Sequence, residues 1–201
     1  MRIVAFSDTE GSHRQLEVPD GDILVFAGDM SRQGSTRSIA DFNSWLGRLS
    51  HPEKVVVAGN HDTLFERNPG VGRLLLSGCR YLQDEAAEIA GLKFWGSPWQ
   101  PWFHDWAFNL PRGEKLAEKW AMIPEDTEIL VTHGPPFGIK DDTGQGRAGC
   151  EDLRKRVAQL PKLKLHIFGH IHESPGVFRE GGVVFANVSW RPGRQVTEIT
   201  V

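Results

Sequence analysis

Cysteine is scarce: Cys79 and Cys150 are the only two in 201 residues, and neither belongs to a CxxC pair. That excludes a disulfide scaffold and a thiolate zinc site, and leaves reduced thiols. Long hydrophobic runs are also missing. No apolar stretch approaches the roughly 20 residues that span a bilayer, and the short run between Arg2 and Ser7 is smaller than a signal-peptide core. The expectation is a cytoplasmic protein without a membrane partner. An excess of positive charge is absent too, with 23 Lys and Arg against 26 Asp and Glu and a net charge of -3. Extended nucleic acid is thereby disfavoured as a partner, and an anionic ligand must be held by a local feature. There is no internal repeat, low-complexity tract or linker. With 39% hydrophobic residues, the chain is expected to form one domain over residues 1–201 with a sizeable core.

What is present is a recurring grammar in which a short apolar run stops at polar side chains. Val55-Val56-Val57-Ala58 runs into Gly59-Asn60-His61-Asp62, and Ile3 to Phe6 runs into Asp8 and Glu10. Ile23 to Ala27 reaches Gly28-Asp29, Ile129 to Thr132 reaches His133, and His166 to Phe168 reaches Gly169-His170-Ile171-His172. Each run reads as a buried strand, so these strands deliver Asp, Glu, Asn and His to one sheet edge. Between the Ile23 to Ala27 and Val55 to Ala58 runs, Ile39, Phe42, Trp45, Leu46 and Leu49 predict an amphipathic helix over Ser35 to Leu49. The β-α-β order favours parallel strands.

Further along, Asn68-Pro69-Gly70 forbids one continuous helix between Asp62 and Leu76. Arg80 to Leu82, Ala87 to Ile89 and Leu92 to Trp95 suggest a β-meander. Helices are expected over Glu114 to Met122 and Cys150 to Leu160, and a strand over Glu128 to Thr132. Val177 to Arg179 and Val183 to Ala186 make a hairpin across Gly181-Gly182, and Gln195 to Val201 alternates as a last strand.

If Asp8, Glu10, Asp29, Asn60, His133, His170 and His172 converge, they form an oxygen and nitrogen ligand set without thiolate. Such a set suits divalent Mn, Fe, Zn or Co, and it is too large for one ion. Two ions about 3.5–4 Å apart, sharing a carboxylate and a water that becomes the nucleophile, accommodate it. A phosphate ester is the anion that such a cluster attracts.

Gly28-Asp29, Gly59-Asn60-His61-Asp62, Gly169-His170-Ile171-His172 and Thr132-His133-Gly134, with Asp8 after the first strand, resemble the calcineurin-like metallophosphoesterase superfamily. Tyr81-Leu82-Gln83-Asp84, Gly96-Ser97-Pro98-Trp99, Phe108-Asn109-Leu110-Pro111-Arg112-Gly113 and Gly134-Pro135-Pro136 are similar to its metallophosphoesterase-domain (MPPED) branch. The resemblance implies an α/β fold of two mixed β-sheets packed as a sandwich and flanked by helices, in four α-β-β-α layers. It implies that Asp8, Glu10, Asp29 and His172 hold a first metal, and that Asp29, Asn60, His133 and His170 hold a second, with Asp29 bridging. It implies that His61 assists the leaving oxygen and that Asp62 orients the His61 ring.

Glu10 stands where the superfamily usually has His. A carboxylate there hardens the first site toward Mn²⁺ and Mg²⁺ over Zn²⁺, and His13 is the alternative ligand if Glu10 does not serve. The cofactor expectation is two divalent ions, Mn preferred, with Fe, Zn, Co, Ni or Mg as alternatives.

The stretch from Trp95 to Phe108 holds Trp95, Trp99, Trp102 and Trp106, more than half of the 7 tryptophans, and serves either as a packing wedge or as an aromatic wall beside the metals. Trp99, Trp102, His104 and Arg147 are the candidate substrate contacts. His51 and His166 read as packed residues, and Asp141 and Asp142 as solvated loop charges. The expected activity is hydrolysis of small or cyclic nucleotide-type phosphodiesters by in-line attack of the shared hydroxide. The alternatives are a phosphomonoesterase with the same cluster and a weakly active metal-binding scaffold.

Overall fold

The computed structural model describes residues 1–201. Strands β1 (Arg2–Phe6), β2 (Ile23–Ala27), β3 (Glu53–Val57) and β4 (Arg80–Tyr81) run parallel. A further strand, Thr197–Thr200, joins the free edge of β1 in antiparallel sense and completes a five-stranded sheet. The second sheet has six strands. In chain order they are β5 (Glu85–Ile89), β6 (Leu92–Ser97), then Ile129–Thr132, Leu165–Phe168, Gly176–Glu180 and Val183–Asn187. Between β6 and Ile129–Thr132 lie the short strands β7 (Gln100–Pro101) and β8 (Asn109–Leu110), so the remaining strands are β9 to β12 in the order given and Thr197–Thr200 is β13. The spatial order β11-β12-β10-β9-β6-β5 is parallel through its centre and antiparallel at both edges.

The period-2 alternation of side chains assigns each inner strand to two cores. In β2, Ile23, Val25 and Ala27 face the second sheet, while Leu24 and Phe26 face outward. The inward set meets Phe94, Ile129, Val131, Leu165 and Ile167 in the sandwich interface. The outward set meets Ile39, Phe42, Trp45 and Leu46 of helix α1 (Thr36–Leu46). On the far face, Leu130, Phe168 and Phe185 pack against Leu116 and Trp120 of one helix (Glu114–Ala121) and Leu153 and Val157 of another (Glu151–Val157). Each such side chain, fully withdrawn from water, contributes about 1.5–3 kcal/mol. The layers are therefore α-β-β-α.

Some boundaries differ from the sequence expectation. The pieces after Tyr81 are not a meander: β4 closes the first sheet, the chain crosses at Asp84 in a left-handed turn, and β5 opens the second. Residues 63–75 form two short helices, Thr63–Arg67 and Pro69–Leu75, because the Asn68 side chain caps the second by accepting from the Val71 amide while Pro69 occupies its first turn. Cys79 and Cys150 are unpaired, and no helix is long and apolar enough to cross a membrane.

Candidate metal centre

The carboxyl ends of β1, β2, β3, β9 and β10 share one rim, and backbone hydrogen bonds tie their loops together. The Asp8 amide donates to the Gly28 carbonyl at 2.9 Å, the Glu10 amide to the Asp29 carbonyl at 2.9 Å, and the Gly169 amide to the His133 carbonyl at 2.8 Å. Contacts also cross between the sheets: His133 Nδ1 lies 2.9 Å from the Ala27 carbonyl, and the His170 amide donates to the Asp8 carboxylate at 3.1 Å. Beneath the rim Asp62 is fully buried. One of its oxygens accepts from the amides of Asp29, Met30 and Gly59, and the other from the amide and hydroxyl of Ser31.

The glycines of the strand-end motifs make room for side chains on other loops. A Cβ on Gly59 would lie 2.2 Å from Asp29 Oδ1, one on Gly28 2.4 Å from His133 Nδ1, and one on Gly169 2.5 Å from Asp8 Oδ2. Only at Gly28, with φ +101°, does the backbone also demand glycine.

Asp8, Asp29 and His133 each offer a donor atom, and these atoms lie within 4.8 Å of one another. The chemistry of the group calls for a cation. The Ala27 carbonyl only accepts, so the ring hydrogen of His133 sits on Nδ1 and the Nε2 lone pair faces Asn60 Oδ1 at 2.9 Å and Asp29 Oδ2 at 3.3 Å. Three acceptors then meet without a donor. The Asn60 amide keeps its oxygen in this position although its buried Nδ2 finds no partner. A divalent ion fits such a set. In its absence a proton takes the place: burial opposes charge on His133, but the Asp29 carboxylate outweighs it and pushes its pKa up to about 9. Burial likewise opposes charge on Asp8, and is outweighed by the His172 hydrogen bond and the His133 charge, which hold its pKa below the usual carboxylate range. His170, its ring centroid 5.0 Å from that of His133, is pushed down to about 3 by burial and by the His133 charge. Burial also raises Asp62 to about 7, aided by the Asp29 charge.

A cleft of about 560 Å³ opens above the group, lined by Asp29, Asn60, His61 and His170 below and by Phe103, Trp106 and Gln145 at the sides. The His61 ring packs on Trp106 at 4.2 Å.

Residues 1–174 match the calcineurin-like phosphoesterase family. The chain belongs to that family. It is 40% identical to human metallophosphoesterase domain-containing protein 1 over 94% of its own length and 65% of the relative's, so it spans just under two thirds of that protein. It is 26% identical to a probable cyclic nucleotide phosphodiesterase of Synechococcus, over 76% of this chain and 58% of that one. An archaeal protein whose solved structure is described as that of a novel phosphodiesterase superposes with a TM-score of 0.53 at 15% identity over the whole of both chains, a likeness of fold.

Within this calcineurin-like frame, the seven expected ligands, Asp8, Glu10, Asp29, Asn60, His133, His170 and His172, all reach the rim, but not equally. His172 Nε2 lies 3.2 Å from Asp8 Oδ1, while Glu10 lines the cleft outside the Asp8, Asp29 and His133 group. His13 is no substitute, because its buried ring packs on Phe42 and Trp45 and its Nε2 faces Asp41 at 3.1 Å. Asp62 does not orient the His61 ring. Its oxygens are taken by the donors named above, and it is the Arg32 carbonyl, 3.0 Å from Nδ1, that holds the imidazole.

None of the four expected substrate contacts, Trp99, Trp102, His104 and Arg147, lines the cleft. Trp99 donates its indole N–H to Asp84 at 2.8 Å beneath Lys119, Trp102 is 61% exposed, and Trp102 and His104 stand outside the cleft lining. Arg147 is paired with Asp141 at 2.7 Å, and Asp141 is buried rather than solvated because it also accepts from the amides of Gly138 and Gly149. The aromatic wall is made instead by Phe103 and Trp106, which belong to the tryptophan-rich stretch but carry no local signal that separates them from its packing residues.

Proposed function

We propose that this chain is a binuclear metal-dependent phosphodiesterase acting on small phosphodiesters with an aromatic or nucleotide-type organic part. The observation that carries the reading is the meeting of Asp29, Asn60 and His133 acceptor atoms around a point that a divalent cation would satisfy, beneath an open cleft. Asp29, Asn60, His133 and His170 would hold one ion, and Asp8, Glu10, His172 and the shared Asp29 the other, with Mn²⁺ preferred. Bound there, the ions supply charge neutralisation of the phosphate and acidification of water.

The chain's own residues do the rest. Asp62 fixes the loops after β2 and β3 so that Asp29 and the His61 amide, 2.8 Å from Asp29 Oδ1, keep one geometry. The Arg32 carbonyl takes the Nδ1 hydrogen of His61, so the hydrogen that this ring can give the departing oxygen is the second one, on Nε2 of the imidazolium. Trp106, packed on that ring, restrains its rotation, and Phe103 and Trp106 offer faces for the organic part of the substrate. Diester preference is supported by the likeness to the probable cyclic nucleotide phosphodiesterase.

The test compares chelator-stripped protein with and without Mn²⁺ on an aryl phosphodiester and an aryl phosphomonoester. The expected result is Mn²⁺-dependent turnover of the diester. Preferential turnover of the monoester would replace the diester reading, and metal-dependent turnover of neither would leave a metal-binding scaffold.

A further inference from the structure

The two flanking histidines are held by opposite kinds of partner. His133 Nδ1 faces a carbonyl, which keeps its Nε2 lone pair available. His172 Nδ1 faces the Arg191 guanidinium, which can only donate. An imidazole that accepts at Nδ1 carries its hydrogen on Nε2, and His172 Nε2 accordingly lies 3.2 Å from the acceptor Asp8 Oδ1. In that arrangement Nε2 has no lone pair for a cation, and Asp8 already accepts from the Ser7 hydroxyl and the His170 amide.

The segment that carries Arg191 is anchored. Buried Trp190 donates its amide to the Ser7 carbonyl at 3.2 Å and its indole N–H to the Arg194 carbonyl at 2.7 Å, and Arg194 donates to the His172 carbonyl at 3.0 Å. Arg191 is thus presented to His172 from the residue after a buried tryptophan that is fixed to the end of β1.

We propose that Arg191 is a positioning residue that holds the first cation site, Asp8 and His172, closed in the metal-free protein, so that the two sites load in order. The Asp29, Asn60 and His133 site fills first, and the Asp8 and His172 site fills only as Arg191 leaves the His172 ring. This rests on the reading of the rim as a binuclear centre. Changing an outer-shell partner of a metal-ligating histidine commonly alters metal affinity by about 10- to 100-fold, and that is the scale expected for Arg191.

The experiment is a Mn²⁺ titration of the chelator-stripped full chain, with free Mn²⁺ followed by electron paramagnetic resonance and heats by calorimetry. Wild type is expected to take one equivalent tightly and a second about 10- to 100-fold more weakly. Arg191→Ala, a change at an exposed residue, should tighten the second equivalent by a similar factor and leave the first unchanged, with the circular dichroism spectrum of wild type. Arg191→Lys, still a donor without an acceptor, should keep a wider gap than the alanine variant. Two equivalents of equal affinity in wild type, or an unaltered second equivalent in Arg191→Ala, would overturn the gate while leaving the binuclear reading intact. No uptake of Mn²⁺ by any variant would remove that reading and the gate with it.

Discussion

Gly59→Ala tests the construction of the centre with the smallest possible probe, one methyl group. The added carbon would stand 2.2 Å from Asp29 Oδ1, 2.6 Å from the Asp29 nitrogen and 2.7 Å from His133 Cε1. Ordinary contact requires the carboxylate to retreat by about 1 Å. Asp29 cannot retreat freely, since Oδ1 accepts from the His61 amide at 2.8 Å and its own amide donates to Asp62 at 2.9 Å. Hydrogen bonds to charged groups are worth about 1.5–3 kcal/mol each and overpacking costs about 1–3 kcal/mol, so a loss of about 3–5 kcal/mol is expected after partial relaxation. Gly70→Ala supplies the contrast. Its nearest neighbour would be Asn68 Oδ1 at 3.9 Å, in a helix, and the same methyl should there stabilise by about 0.5–1 kcal/mol. The assay is thermal unfolding with and without Mn²⁺, because an ion bound only to the native state raises Tm in proportion to its affinity. Gly70→Ala should keep the Mn²⁺-induced rise and Gly59→Ala should lose it. A Gly59→Ala protein with wild-type stability and the full Mn²⁺ response would refute the packing argument and the role of Asp29 together.

Three further outcomes are expected. Asp62→Asn replaces one carboxylate oxygen by an NH2 group that confronts buried amide donors, so chemical unfolding should show a loss of about 2–4 kcal/mol even without metal. His61→Ala should retain the Mn²⁺-induced rise in Tm yet lose about 100-fold or more in diester turnover, most with poor leaving groups; equal losses for good and poor leaving groups would remove His61 as the donor to the departing oxygen. In metal-free protein His133 is raised from 6.5 to about 9, so its contribution to stability is complete below pH 6.5 and disappears as pH rises through 9. The fall in Tm over that window should vanish in His133→Gln.

Much of this was legible because the strands are buried on both faces. A run such as Ile23 to Ala27 has no polar position to confuse its boundaries, and the first polar residue marks the rim. The set of rim side chains followed, since each of the seven sits within a few residues of a strand end. What sequence could not supply were relations between loops. Asp62 looked like a partner for the neighbouring His61 ring, but apart from the Gly59 amide its oxygens go to donors some thirty residues away in sequence. Arg147 looked free for phosphate, but a buried Asp141 claims it. Arg191 carried no signal at all, because its meaning depends on which nitrogen of His172 it meets.

The rim also carries a cost that explains why it needs so many internal bonds. Asp8, Glu10, Asp29 and His170 all have left-handed backbones, with φ of 59°, 44°, 62° and 66°. Aspartate tolerates this region, but a residue such as glutamate or histidine held there costs on the order of 1 kcal/mol or more. The left-handed turn reverses the chain within one residue, so that the Glu10 and His170 amides turn onto the neighbouring loop, one to the Asp29 carbonyl and one to the Asp8 carboxylate. Relaxed backbones at these positions would release the strain and aim those amides elsewhere, leaving Asp8 and the Asp29 loop without their ties. The strain and the convergence of donors are therefore one feature, and an ion that fills the acceptor pocket of Asp29, Asn60 and His133 offsets both the repulsion and the backbone cost. On that reasoning the metal-free protein should open first at this rim, with the Asp8, Glu10 and His170 amides exchanging hydrogen faster than those of β2 beneath them, and Mn²⁺ should slow the rim amides selectively.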